Sequence, residues 1–337
     1  MLTQARALTE AFVLEVWRLV LSRHPPADQL SNLIDHIEAG ADPMQVLIEI
    51  GSGQEATERQ ALLGQVPLLV PPGHYYSPIV APTTLPRPLP RSAMLGVMID
   101  MVAMEQLYRA LLPHMDGVNL PMQQEPGTRY YVDNHMYGVG DALIYAGMIR
   151  HLRPRRVIEV GSGFSSAVLL DTLDLSPDLT TQLTFIEPYT KRLDALLRPV
   201  DHDRVRIIRS GVQDVPLDVF TQLGAGDILF LDTTHISKTG SDVNFELFEV
   251  LPRLAPGVWV HFHDVFPDFE YPESWVFDEN RSWNELYALR AFLQYNDVFR
   301  VAYANEDFAR SHTDLIRKTC PRILDNPGGG LWLLKQA

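Results

Sequence analysis

From Arg155 onward the hydropathy of the chain changes period. Short apolar runs, VIEV, LTFIEP, VRIIRS, DILFLD, VWVHFHD, FRVAYAN and LWLLK, follow one another with helical patterns between them. Runs this short, bounded by turn signals and separated by helices, become strands of a mostly parallel sheet, because parallel neighbours need a crossover and bury both faces. The expectation is a doubly wound α/β domain of seven strands from about residue 130 to the C-terminus. A chain of 337 residues with 46% hydrophobic content exceeds what one core usually holds, roughly 250 residues, so a second, smaller part is expected.

That smaller part lies at the N-terminus. Residues 9–62 read as helices: Phe12, Val16, Leu19 and Val20 share one face, and Leu30, Leu33, Ile34 and Ile37 share another. Pro25-Pro26 separates these two helices and Gly40 ends the second. Asp42-Pro43 starts a third, an aspartate cap followed by a proline at the first helical position, which carries Val46, Leu47 and Ile50. The divisions expected are a small all-α domain at 1–63, a proline-rich linker at 64–92, a connecting helical segment at 93–129 and the α/β domain at 130–337. Helices are expected from about Ser92 to Leu112 and from Asp141 to Leu152. The Leu-Ser-Arg ending of the first helix, then Pro-Pro-Ala-Asp and Gly-Ser-Gly-Gln-Glu, resembles small helical domains of unknown function that are related in pattern to phycobilisome linkers and are found beside glycan-modifying enzymes. The resemblance implies a surface for a protein partner or for homo-oligomers.

Charge narrows the partners. Lys+Arg 28 against Asp+Glu 42 leaves 28 − 42 = −14, which opposes attraction to nucleic acid or anionic lipid. Cys320 is the single cysteine, so an internal disulfide and a cysteine zinc site are both excluded. Glu15 and Arg18 interrupt the N-terminal apolar stretch, which falls short of the roughly 20 residues of a membrane span. A soluble, cytoplasmic protein is the expectation.

The first strand ends in Val157-Ile-Glu-Val-Gly-Ser-Gly-Phe-Ser-Ser166. Gly161 suits a tight turn, Gly163 lets a ligand approach the backbone, and the next helix offers unpaired N–H groups. The second strand ends in Phe-Ile-Glu-Pro, which brings Glu187 to the neighbouring carboxyl edge, where it can accept two ribose hydroxyls. Ser166 stands where a dinucleotide fingerprint prefers Gly or Ala. Together these features resemble a class I S-adenosylmethionine-dependent methyltransferase with its Rossmann-like sheet. The first motif of that family is similar to Glu159-Val160-Gly161-Ser162-Gly163, and its second-strand acid matches Glu187. The resemblance implies S-adenosyl-L-methionine as cofactor, Glu159 near the methionine end, Gln213 or Asp214 at the adenine, and a last strand, GGGLWLLK, inserted antiparallel beside the sixth.

A second constellation ends the fourth and fifth strands: Leu231-Asp232-Thr-Thr-His235 and His261-Phe-His263-Asp264. Carboxyl ends beside the first strand converge on the crevice of such a sheet. Asp232, His263 and Asp264 suit an oxygen-rich cation site of the kind Mg²⁺ prefers. Asp-x-x-His followed by a next-strand pair ending in Asp resembles metal-assisted small-molecule and sugar O-methyltransferases, with His263 where a carboxylate is usual. His235 is the expected general base and His263 a ligand or alternative base, since imidazole titrates near neutrality. His261 points to the same strand face and reads as structural. The loop VFPDFEYPESWVFDENRSW after the fifth strand reads as an acceptor lid, or as packing for the prolines of 71–90, and Tyr130-Tyr131-Val-Asp-Asn-His135 and His74-Tyr75-Tyr76 as a facing wall. The function expected is O-methylation of a glycan or other small hydroxylated acceptor. Two alternatives compete: a metal-dependent hydrolase using Asp232, His235, His261, His263 and Asp264, and a non-catalytic methyltransferase-like scaffold.

Overall fold

The computed structural model describes residues 27–40, 73–91 and 93–337, together with Arg6, residues 9–14, Trp17, Asp42, Val46 and Val70. Two compact units divide the chain, Met1–Ala81 and Pro82–Ala337. In the first, residues 9–14 are helical and α1 spans Ala27–Glu38. Arg6 pairs with Asp35 at 3.1 Å and Glu38 at 2.5 Å on the exposed side of α1. The third helix expected after Asp42 and the Gly-Ser-Gly-Gln-Glu stretch lie outside the described residues, apart from Asp42 and Val46. His74, Tyr75 and Tyr76 belong to this unit, their successive rings 4.3 and 4.2 Å apart.

The second unit opens with a strap, residues 82–91, that holds a single 3-10 turn (Pro82–Thr84) and no longer helix or strand. Dense proline leaves too few N–H donors for either. Helix α2 (Met101–Met115) starts later than the hydropathy pattern predicts. The Asp100 carboxylate accepts from the N–H groups of Val102 and Ala103, both at 3.0 Å, and so fixes the first turn there. Next come α3 (Val139–Leu152), β1 (Arg156–Val160), α4 (Phe164–Asp174), β2 (Gln182–Ile186), α5 (Lys191–Leu196), β3 (Val205–Ile208) and β4 (Ile228–Leu231). Then follow α6 (Asp242–Phe245), running into a π-helical turn at Glu246–Val250, β5 (Trp259–Phe262), α7 (Glu273–Phe277), α8 (Glu285–Leu293), β6 (Phe299–Ala304), α9 (Asn305–Ser311), α10 (Thr313–Thr319) and β7 (Leu331–Lys335).

All seven apolar runs are strands of one sheet, in the order β3-β2-β1-β4-β5-β7-β6. The four pairings from β3 to β5 are parallel, and β7 enters antiparallel between β5 and β6, as the expected seven-stranded, mostly parallel fold requires. Strand order reverses between β1 and β4. In such a sheet the loops diverge there and leave a crevice outside the carboxyl ends. Ile228, Leu229, Phe230 and Leu231 are all buried, which is why β4 reads as an unbroken apolar run.

One buried cation ties the segment before the sheet to the sheet's helices. Arg129 is 1% exposed, and its guanidinium donates to Asp171 at 2.7 Å, Asp174 at 2.8 Å and both oxygens of Asp201 at 2.7 and 2.5 Å. The main-chain N–H groups of Arg129 and Tyr130 also donate to Asp171, at 2.8 and 2.9 Å. These bonds set where residues 131–138 leave for the crevice. Removing the cation takes two bonds from fully buried Asp201, whose other cation, Arg204, stands 3.7 Å away. Arg129→Met should lower stability by about 3–5 kcal/mol, the usual cost of breaking a buried pair from one side. The check is the urea midpoint; a shift equivalent to less than about 1 kcal/mol would contradict a structural role for the cluster.

Candidate active site

The turn after β1 is built around Gly161. Its φ is +81°, and a Cβ placed there would sit 1.6 Å from the carbonyl oxygen of Asp232. The bare backbone is therefore demanded first by the end of β4, since any side chain would push β4 away. Asp232 N donates to Val160 O at 2.9 Å and Gly161 N to Ile186 O at 3.0 Å, so the ends of β1, β2 and β4 are locked together. At Gly163 the nearest outside atom to an added Cβ is Arg192 Cδ, at 3.2 Å.

Glu159 is fully buried. Its Oε1 accepts from the hydroxyls of Ser165 at 2.5 Å and Ser166 at 2.7 Å, and Ser166 Oγ in turn accepts from Gly163 N at 3.0 Å. Glu159, expected near a cofactor's methionine end, shapes the turn through these two serines and lines neither cavity described below. Burial raises its pKa to about 8, against the two hydroxyl bonds that lower it.

A cavity of about 350 Å³ lies over the turn, lined by Gly161, Ser162, Gly163, Glu187, Asp232, His235, His263 and Asp264. Glu187 accepts once at each oxygen, from Ser162 N at 3.2 Å and Tyr189 N at 2.7 Å, which leaves further lone pairs for a ligand. Gln213 and Asp214, expected at the adenine, line neither this cavity nor its neighbour; both are exposed, and Gln213 donates to Gly240 O at 3.1 Å. Both belong to the short 3-10 turn Val212–Asp214, a feature that strand spacing alone does not reveal.

At the floor, two imidazoles face two carboxylates. His235 Nε2 lies 3.4 Å from Asp232 and 3.5 Å from Asp264; His263 Nδ1 lies 3.6 Å from Asp232 and 3.4 Å from Asp264. Each imidazole is held from behind by a further buried acid. His235 Nδ1 meets Glu285 Oε2 at 2.8 Å, and His263 Nε2 meets Asp141 Oδ2 at 3.4 Å. Sequence reasoning missed Glu285 and Asp141, since each comes from a helix start distant in the chain. The backbone N–H groups of Asn284 and Glu285 both donate to His235 O at 3.1 Å, which fixes the residue as well as its ring. His235 and Asp264 have φ of +59° and +58°, strained for residues with side chains.

The charges decide the protonation. Burial disfavours a charged His235, but Asp232 and Glu285 outweigh it and push the pKa up to about 10. Burial opposes charge on His263 too, yet Asp264, Asp232 and Asp141 hold it well above its ordinary value. Asp232 is held low, burial being overcome by His263 and His235. One ligand atom each from Asp232, His235 and Asp264 lie within 4.8 Å of one another, a spacing that fits one cation. His261 is apart from this group: it packs between Phe230 at 4.2 Å and Trp332 at 4.6 Å, and burial drives its pKa well down. The five-residue hydrolase set is therefore not assembled.

The loop after β5 roofs the cavity with Trp275, Arg281 and Trp283. The Arg281 guanidinium lies 4.0 and 4.6 Å from the two indole rings and pairs with Glu279 at 2.6 Å. The other side of the loop rests on the strap. Leu89 N donates to Glu273 at 3.0 Å, Arg91 to Asp268 at 2.9 Å, and Arg87 covers Phe277 at 4.2 Å. The loop thus packs on residues 87–91 of the proline-rich stretch and also lines the cavity. From the facing wall, Val132, His135, Met136 and Tyr137 reach the cavities, whereas Tyr130 is core, donating to Tyr137 O at 2.8 Å.

Comparison with known proteins agrees with this geometry. A family model described as a methyltransferase domain matches residues 158–265, from β1 to just beyond β5. An uncharacterized protein of Archaeoglobus fulgidus is 33% identical over 171 residues, covering 47% of this chain and 76% of that protein. The chain carries a methyltransferase domain over residues 158–265 and belongs to one family with the archaeal protein. Solved structures similar to parts of it include the SAH-bound Podospora anserina methyltransferase PaMTH1 (14% identical, 72% of this chain and 91% of that one, TM-score 0.38) and CmcI in its apo form (16%, 59% and 72%, TM-score 0.36). Within the methyltransferase domain, the match contains the Gly161 turn, Glu187, Asp232, His235, His263 and Asp264.

Glu159 gives this site a pH signature. Its folded pKa of about 8 stands above the ordinary 4.5, so between those values the folded chain holds a proton that the unfolded chain has lost. Stability from this group is complete below the lower value and is lost as pH rises toward the upper one. Glu159→Gln should therefore gain on the unmodified protein by up to about 1.4 kcal/mol per pH unit from pH 5 to 8. Chemical denaturation across that range is the measurement, and a constant difference between the two proteins would contradict a protonated Glu159.

Proposed function

We propose that the chain is an S-adenosylmethionine-dependent methyltransferase that methylates a hydroxyl oxygen of a small hydroxylated acceptor, with His235 as base beside a divalent cation, Mg²⁺ by its oxygen-rich setting. The observation that carries the reading is the meeting, in one cavity, of the bare turn 161–163 and Glu187 with the Asp232, His235 and Asp264 floor. The residues fit the donor: main chain at the turn for close approach, and a carboxylate with spare lone pairs one strand away for paired hydroxyls. No phosphate-cradling Gly-Lys-Ser/Thr follows the turn. When bound, such a donor supplies a sulfonium methyl group that passes to an oxygen nucleophile.

The chain's own groups then divide the work. Glu285 takes the His235 Nδ1–H, which commits Nε2 as the proton acceptor aimed at the floor. His235 Nε2 would take the acceptor's hydroxyl proton while that oxygen gains the methyl group and the methyl–sulfur bond breaks with its electron pair kept on sulfur, and the proton would leave to solvent afterwards. Asp232 and Asp264 would hold the cation, with His263 Nδ1 on their other side, and the cation would lower the pKa of a bound hydroxyl. A proton on Nε2 and a cation next to it disfavour each other, so loading the site helps to free the base. Trp275 and Trp283 limit water and supply faces for a ring.

A second reading is favoured by the 4.8 Å convergence of Asp232, His235 and Asp264: His235 as cation ligand, with His263 as base. His235→Ala separates the two. Loss of kcat of about a hundredfold or more with cation affinity unchanged supports His235 as base, whereas loss of cation affinity supports it as ligand. The wider reading is tested by calorimetry with S-adenosylmethionine. Micromolar binding that falls at least about tenfold in Glu187→Ala is expected, and no binding by the unmodified chain would overturn the reading. Turnover unchanged in excess EDTA would remove the cation from it.

A further inference from the structure

A second cavity, of about 270 Å³, adjoins the first across His263, Asp264 and Trp275. Its volume matters because the first is near the lower end of the roughly 300–1,000 Å³ that a single drug-sized ligand occupies. A donor of that size fills the space over the glycine turn, and the acceptor needs room elsewhere within reach of the floor. The second cavity is that room. Val132, Gly138 and Asp141 bound it on the side of α3, Gly328 and Gly329 on the side of β7, and Phe266 with Trp275 under the lid loop.

Its chemistry selects the occupant. Phe266 and Trp275 meet edge to face, 5.0 Å apart at 87°, so the wall presents aromatic surface to a flat, C–H-bearing ring. Asp141 and Asp264 supply the acids. Asp141 is 3% exposed and is held by Asn305 Nδ2 at 2.8 Å. The oxygens of both acids accept from hydroxyl donors, and His263, which also lines the cavity, stands between the two, so the lining keeps one acid in excess and disfavours an anion. No lysine or arginine lines this cavity, whereas Arg192 and Arg281 both line the first.

We propose that the second cavity is the acceptor pocket and that it takes an uncharged hydroxylated ring, of the size of one pyranose or cyclitol, seated on Phe266 and Trp275. The inference rests on the methyltransferase reading and adds where the acceptor sits and what charge it carries. The test uses the full chain saturated with S-adenosylhomocysteine, with methyl β-glucopyranoside, myo-inositol and methyl β-glucuronide as probes in saturation-transfer NMR. The neutral rings should bind and the glucuronide should bind at least about tenfold more weakly. Val132→Trp, which fills this cavity alone, should abolish the neutral-ring signal while the S-adenosylhomocysteine Kd stays within about twofold. Phe266→Ala, a milder change, should weaken the rings about fivefold or more and spare the donor analogue. Equal binding of the glucuronide, ring binding that survives both substitutions, or no neutral ring bound by the loaded chain would overturn the proposal. Failure of S-adenosylhomocysteine to bind the unmodified chain would instead overturn the methyltransferase reading on which it rests.

Discussion

The structure depends most on a compact balance of opposite charge at the reversal of strand order. His235 and His263 lie between Asp232 and Asp264 on one side and the buried Glu285 and Asp141 on the other. Desolvated ions are costly unless each finds partners, and with alternating acids and imidazoles each charge has an opposite neighbour within 3.6 Å. An acidic site that holds protonated imidazoles in its resting state is also one that a divalent cation can enter, because cation and protons serve the same carboxylates.

Much of the surrounding fold keeps that arrangement in place. Gly161 lets the end of β4 close against β1, which sets the position of Asp232. Arg129, bonded to three aspartates, anchors the segment that delivers His135, Met136 and Tyr137 to the cavities. The strap from Arg87 to Arg91 grips the outside of the lid loop, while Asn284 and Glu285 at its far end grip His235. The lid is thus tied at both faces, and the same loop that covers the cavity also orients the imidazole beneath it. Sites built this way lose little entropy when the reactants arrive, because their side chains are already ordered.

The sheet was legible in the sequence because its strands are short apolar runs, most fully buried at β4 and least at the edge strand β3, and such runs leave a signal that needs no partner to interpret. The end-of-strand residues were legible for the same reason: once the strands are placed, Glu187, Asp232, His235, His263 and Asp264 must fall on one edge. Glu285 and Asp141 were not, since they come from helix starts 50 and 122 residues away from the imidazoles they hold. Gln213 and Asp214 were named from the resemblance alone; they lie in a 3-10 turn after β3, exposed and outside the lining of both cavities. The resemblance implies Glu159 near the methionine end; only packing reveals that Ser165 and Ser166 donate to one of its two oxygens. The late start of α2 reflects a single cap at Asp100, a local bond that outweighs an apolar pattern beginning earlier.

The central claim is that donor and cation meet on this floor. A crystal structure grown with S-adenosylhomocysteine and Mn²⁺ tests it most directly, since manganese is located by its anomalous scattering. The account predicts manganese between the Asp232 and Asp264 carboxylates, with the homocysteine moiety over Gly161–Gly163 and ribose hydroxyls on Glu187. Manganese bound away from that pair, or the donor analogue outside the glycine-turn cavity, would contradict it.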